Sequence, residues 1–131
     1  MSSYLDASAI VKLVVRQRES GALLDHVMTA GRHLVTSSLS RIEVVRALAG
    51  AEDRITSLAR RVFEQIDLLP IGVAVIEGAM TISPRRRIRS LDAIHLASAT
   101  LLGDLLDEVV TYDLRMAEAA RDLGLEVVAP G

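Results

Sequence analysis

The chain has 131 residues, of which 50% are hydrophobic and only 2% aromatic, with a formal net charge of −2. A single domain of this length buries roughly two-thirds of the surface its unfolded chain would expose, and so apolar a composition excludes a disordered chain. Cysteine is absent, which excludes disulfides, thiolate metal sites and cysteine nucleophiles.

One domain over residues 1–131 is therefore expected. No segment approaches the ~18 uninterrupted apolar residues of a membrane span. The N-terminus lacks the basic region and apolar run of a signal peptide, so a reducing cytoplasm is the expected compartment and no membrane partner is expected. The slightly acidic balance argues against a protein held to nucleic acid by bulk charge alone. Lys12 is the only lysine; the other basic residues are arginines.

In chain order, Tyr4 and Leu5 end a short first strand, and a helix is predicted over 8–15 and a second over 20–29. "HLVTS" (33–37) reads as a strand, followed by a helix that stops at Gly50, a plausible C-cap. Residues 53–66 form a helix with Ile55, Leu58, Ala59, Val62, Phe63 and Ile66 on its apolar face. "DLLPI" is a short strand that Pro70 marks as an edge or an end. A helix over 73–82 is stopped by Pro84, and the basic run "RRRIR" (85–89) leads into "SLDAIHLASA". On that helix Leu91, Ile94, Ser98 and Leu101 share one stripe, with Leu102 and Leu105 beside it, and this is the face expected to be buried. "EVVTY" is a strand, 114–123 a helix capped by Gly124, and "LEVVA" the last strand. Strands alternating with helices argue for a parallel sheet covered by helices on both faces.

In such a sheet, ligands bind beyond the carboxyl ends of the strands. Asp6 follows the first strand, Glu43 lies early in the helix after the second, and Asp113 follows the fourth, two residues after Thr111. Asp92 opens the helix before the fourth strand. Each has an ordinary reading. Asp6 and Asp113 suit helix N-caps, Ser40 and Glu43 spell a capping box, and Asp92 suits a helix first turn. Together they are harder to explain as caps, because clustered carboxylates repel unless something positive lies between them. Oxygen-only donors suit Mg²⁺ or Mn²⁺. Ser8 is expected to cap its helix and to bond a site carboxylate. His95, on the side of the helix that carries Asp92, reads first as a satisfied core histidine. His26 and His33 have no zinc-ligand spacing.

"YLDASAIVKL", "TSSLSRIEVVRAL", "RSLDAIHLASA" and "VVTYDLRMAEAARDLGLEVVAP" resemble the PIN domain, and more narrowly the VapC-type toxins of toxin–antitoxin pairs. The four motifs stand in the family's order and spacing from Tyr4 to Pro130. The resemblance implies an α/β fold with a near-parallel five-stranded sheet sandwiched between helices. It implies a Mg²⁺- or Mn²⁺-dependent ribonuclease, an antitoxin partner and a homodimer, with the helices of 38–66 as the hairpin serving both contacts. By motif, it assigns the metal-binding and catalytic acids to Asp6, Glu43, Asp92 and Asp113, supported by Ser8 and Thr111.

Chemically, a carboxylate-held metal lowers the pKa of a bound water and shields phosphate charge. Hydrolysis of RNA at such a site leaves a 5′-phosphate and a 3′-hydroxyl. Arg85, Arg86, Arg87 and Arg89 are candidates for RNA phosphate contacts, and the scarcity of aromatics leaves little base stacking. A phosphoacceptor receiver domain shares the sheet and an acidic pocket but needs a late lysine that this chain lacks. A catalytically silent PIN-like binding module is the other alternative.

Overall fold

The computed structural model describes residues 2–29, 31–82 and 87–131. Five strands, β1 (Ser2–Leu5), β2 (His33–Ser37), β3 (Asp67–Leu69), β4 (Leu106–Val110) and β5 (Val127–Val128), form one sheet in the order β3-β2-β1-β4-β5. Every neighbouring pair is parallel. The helices are α1 (Ala7–Val14), α2 (Ser20–Val27), α3 (Leu39–Ala47), α4 (Asp53–Glu64), α5 (Val73–Thr81), α6 (Ser90–Thr100) and α7 (Leu114–Asp122), with a 3₁₀ turn at Gly103–Leu105. This is the expected five-stranded α/β sandwich.

All four residues of the central β1 are buried, and their alternation sorts the two faces of the sheet. Leu5 and Val110 face a core built with Ile10 of α1, Leu23 of α2, Val44 of α3 and Ala59 of α4. Tyr4 and Val109 face the opposite way and pack with Ala99 of α6. Leu96 of α6 meets Met116, Ala119 and Ala120 of α7 in a third cluster. Ile10, Leu23 and Val44 are wholly buried, each contributing about 1.5–3 kcal/mol of apolar burial. The predicted apolar face of 53–66 does turn inward: Ala59 and Ile66 are buried, with Ile55, Leu58, Val62 and Phe63 packed around them.

The face expected to be buried on α6 is buried only in part: Ser98 is inside and Ile94 and Leu102 are half-buried, but its other leucines are not. Leu91, Leu101 and Leu105 are exposed, whereas Asp92, Ala93, His95, Leu96, Ala97, Ser98 and Ala99 are buried. The reason is steric. Small side chains let α6 approach its neighbours closely; a Cβ on Gly78 of α5 would already stand 3.3 Å from the Ala97 Cβ. Leu96 is the leucine that packs inward, against Met116, Ala119 and Ala120, while Leu91 and Leu101 stay outside, so apolar size misidentified part of the inner face.

The end of β4 differs from expectation in a way that matters for the site. β4 stops at Val110, not Tyr112, which frees Thr111 to turn its hydroxyl among the acids. Gly124, at φ +79, ends α7 as expected: its amide bonds the Arg121 carbonyl and the Leu125 amide bonds that of Ala120. This is the paired closure that a left-handed residue makes possible. At the amino end of the strands, His26 and Arg32 pair with Glu108, and His33 with Asp67, so the other two histidines are committed far from the strand carboxyl ends.

Candidate active site

β1 runs into α1 through a single residue, Asp6, whose extended backbone makes it the helix N-cap. Asp6 Oδ1 accepts from the Ala9 amide at 3.1 Å and from Ser8 Oγ at 2.6 Å. Its Oδ2 accepts from Thr111 Oγ1. Ser8 does not cap the helix; it bonds the capping carboxylate and accepts from the Tyr112 amide at 3.0 Å. Thr111 Oγ1 also accepts from the Asp113 amide at 3.1 Å. One buried hydroxyl thus ties the end of β1 to the end of β4.

Asp113 caps α7, with Oδ1 accepting from the Arg115 and Met116 amides. Its Oδ2 pairs with Arg89 Nη2 at 3.2 Å. The same guanidinium reaches Asp92, in the first turn of α6, through Nε at 3.0 Å and Nη2 at 3.4 Å. Arg89 therefore lies between two of the four acids. Asp92 is buried, while the Arg89 side chain is 61% exposed. Hydrogen bonding to Asp92, with the charges of Asp92, Asp113 and Glu43 in support, holds the guanidinium still more firmly protonated than usual.

Glu43 takes no part in a capping box. Ser38 occupies the N-cap of α3 without a side-chain cap, the Leu39 amide bonds Ser37 Oγ, and Ser40 Oγ bonds Thr36 Oγ1. Glu43 Oε1 instead meets His95 Nε2 at 2.5 Å. His95 Nδ1 lies 2.7 Å from the Tyr4 hydroxyl. Neither Tyr4 nor this use of His95 was legible as a functional feature. The available signal was that His95 stands one helical turn from Asp92, on its side.

Burial pushes the Asp6 carboxyl above its ordinary range, against the hydrogen bonds from Ser8, Thr111 and the Ala9 amide and the influence of His95. Desolvation is the cause, more than repulsion among the acids. Three of the acids are joined at the carboxyl end of the sheet, Asp6 through Thr111 to Asp113 and Asp113 through Arg89 to Asp92, while Glu43 bonds His95 and adds its charge to the field at Arg89. Among the described residues, no three His, Asp or Glu side chains are gathered closely enough to hold a metal ion. The donor chemistry nevertheless fits a hard divalent cation. The donors are all carboxylate oxygens, and two of them already share a cationic group. Arg87 is exposed, and Arg85 and Arg86 lie outside the described residues.

The PIN domain family model matches residues 3–122. Ribonuclease VapC46 of Mycobacterium tuberculosis is 46% identical over 97% of this chain and 96% of its own. The structure of VapBC2 from Rickettsia felis, solved with a DNA fragment from its promoter, superposes with a TM-score of 0.78 at 10% identity over all of both chains. A toxin–antitoxin complex from Klebsiella pneumoniae superposes with a TM-score of 0.73 at 19% identity over 98% of each chain. At those identities the two structures speak for the fold alone, but the family match and the close relative go further. This chain belongs to the PIN domain family, in its VapC group.

Proposed function

We propose that this protein is a metal-dependent endoribonuclease toxin of the cytoplasm, restrained by a cognate antitoxin. Asp6, Glu43, Asp92 and Asp113 would hold Mg²⁺ or Mn²⁺. The observation that carries the reading is the Arg89 guanidinium shared by Asp92, at the start of α6, and Asp113, just beyond the end of β4: two of the acids accept a cation between them. A bound divalent cation would supply a water of lowered pKa and neutralise phosphate charge.

The chain's own residues do the rest. Thr111 and Ser8 hold the Asp6 carboxylate by both oxygens, so its orientation is set before any ligand arrives. Asp113 is fixed by the first amides of α7, which leaves Oδ2 as its outward oxygen. Arg89, largely exposed, is free to exchange its carboxylates for an RNA phosphate once they are otherwise engaged. Arg85, Arg86 and Arg87, close to it in sequence, are the further candidates for phosphate contacts. The likeness to a VapC ribonuclease supports the substrate class, and membership of the VapC group supports the antitoxin partner. A homodimer is part of the same reading.

The test is cleavage of a pool of structured RNAs by the purified chain with Mg²⁺, with Mn²⁺ and with EDTA. Cleavage in the metal arms alone, leaving 5′-phosphate and 3′-hydroxyl ends, is expected. Cleavage that persists in EDTA, or ends in 2′,3′-cyclic phosphate, contradicts the metal mechanism. Antitoxin binding without cleavage in any arm identifies a silent binding module instead.

A further inference from the structure

A buried line of polar groups joins the middle of the sheet to the acidic cluster. The Ser37 amide donates to the Tyr4 hydroxyl at 3.2 Å, the hydroxyl meets His95 Nδ1 at 2.7 Å, and His95 Nε2 meets Glu43 Oε1 at 2.5 Å. The His95 side chain is only 3% exposed, and the Tyr4 ring stands edge-on to it at 75°. We propose that His95 is a positioning residue that holds the Glu43 carboxylate toward the cation site, with Tyr4 setting the imidazole. This inference rests on the metal reading above.

Glu43 is the acid with the least local support. Asp6 and Asp113 are each fixed by the amides of the helix they cap, and Asp92 is a short side chain buried at a helix start. Glu43 projects from α3, 26% exposed, on a longer and more mobile stem. α3 belongs to one core and α6 to the others, so the bond to His95 clasps a carboxylate from one layer with a ring from the opposite layer.

The direction of that bond is determined. A carboxylate only accepts, so Nε2 carries the proton that faces Glu43, and in the neutral ring Nδ1 is then the acceptor for the Tyr4 hydroxyl. In the imidazolium both nitrogens donate. Nε2 is a donor to Glu43 in either state. With both nitrogens occupied and the ring enclosed, His95 has none left to exchange a proton with RNA, so it acts through Glu43. Partners that orient ligating groups in this way typically change metal affinity 10–100-fold when removed.

The experiment is calorimetric titration of Mn²⁺ into the full chain, comparing wild type with His95→Gln, His95→Asn and Tyr4→Phe, each checked for fold by circular dichroism. Gln carries its amide nitrogen as many bonds from Cα as Nε2, so it can restore the donor to Glu43. Asn reaches only the Nδ1 position, toward Tyr4. His95→Asn should weaken Mn²⁺ binding about 10-fold or more, His95→Gln should stay close to wild type, and Tyr4→Phe should fall between. Equal binding by Gln and Asn variants, whether both normal or both weak, overturns the positioning role. A folded Tyr4→Phe with wild-type affinity removes Tyr4 from the line, should the His95 variants not fold. A wild type that binds no Mn²⁺ overturns the metal reading itself, and the inference with it.

Discussion

Asp6 is both helix cap and proposed ligand, and two substitutions separate these roles. Asp6→Ala removes the cap of α1, which costs about 0.5–2 kcal/mol. It also takes the carboxylate acceptor from the hydroxyl protons of Ser8 and the buried Thr111, and an unsatisfied buried group costs roughly 1–3 kcal/mol. The sum is about 3 kcal/mol, or a fall of about 12 °C in Tm for a domain of this size. Asp6→Asn keeps a capping oxygen for Ala9 and Ser8, caps as well as Asp, and exchanges a buried carboxylate for a neutral amide. Its stability should lie within about 1 kcal/mol of wild type. Both variants should lose RNA cleavage by orders of magnitude. The pH dependence adds a check. Burial raises the folded pKa of Asp6 above the unfolded value near 3.9, so the folded state holds the extra proton between those values. In EDTA, the Asp6 contribution therefore favours folding most at low pH, declines as pH rises through that window, and is flat above it. Asp6→Asn should lack this part of the slope. Chemical denaturation across pH, with cleavage assays on the same preparations, decides the matter. If Asp6→Asn is as unstable as Asp6→Ala, the charge itself is structural; if it still cleaves RNA, Asp6 is outside the chemistry.

Arg89→Gln removes the cation shared by Asp92 and Asp113, so Mn²⁺ should bind more tightly by calorimetry while RNA binding weakens; unchanged affinity for both would mean that Arg89 only decorates the rim. Replacing Arg85, Arg86 and Arg87 with Ala should weaken RNA binding and flatten its dependence on salt in a filter-binding series, and an unchanged salt slope would assign the run to solvent or to the antitoxin. Gly78→Val should wedge α5 from α6, since a Cβ there already comes within 3.3 Å of Ala97; a loss of about 1–3 kcal/mol on denaturation is expected, and a neutral result would refute the close-packing account of α6.

The sequence by itself determined the alternation of strands and helices, and hence the parallel sheet, because apolar periodicity and breakers such as Gly124 act locally. It also offered Asp6, Glu43, Asp92 and Asp113 as candidates, since in a parallel sheet the residues near the carboxyl ends of the strands share one edge. It could not say which side of α6 faces inward. That choice follows the distance between helices, which Gly78 and Ala97 set across a gap of many residues, so the small side chains won over Leu91 and Leu101. Nor could it pair Glu43 with His95 or Arg89 with Asp113. Those bonds join segments far apart in the chain, and only the stacking of α3, α6 and the end of β4 around one sheet edge brings their polar atoms within reach.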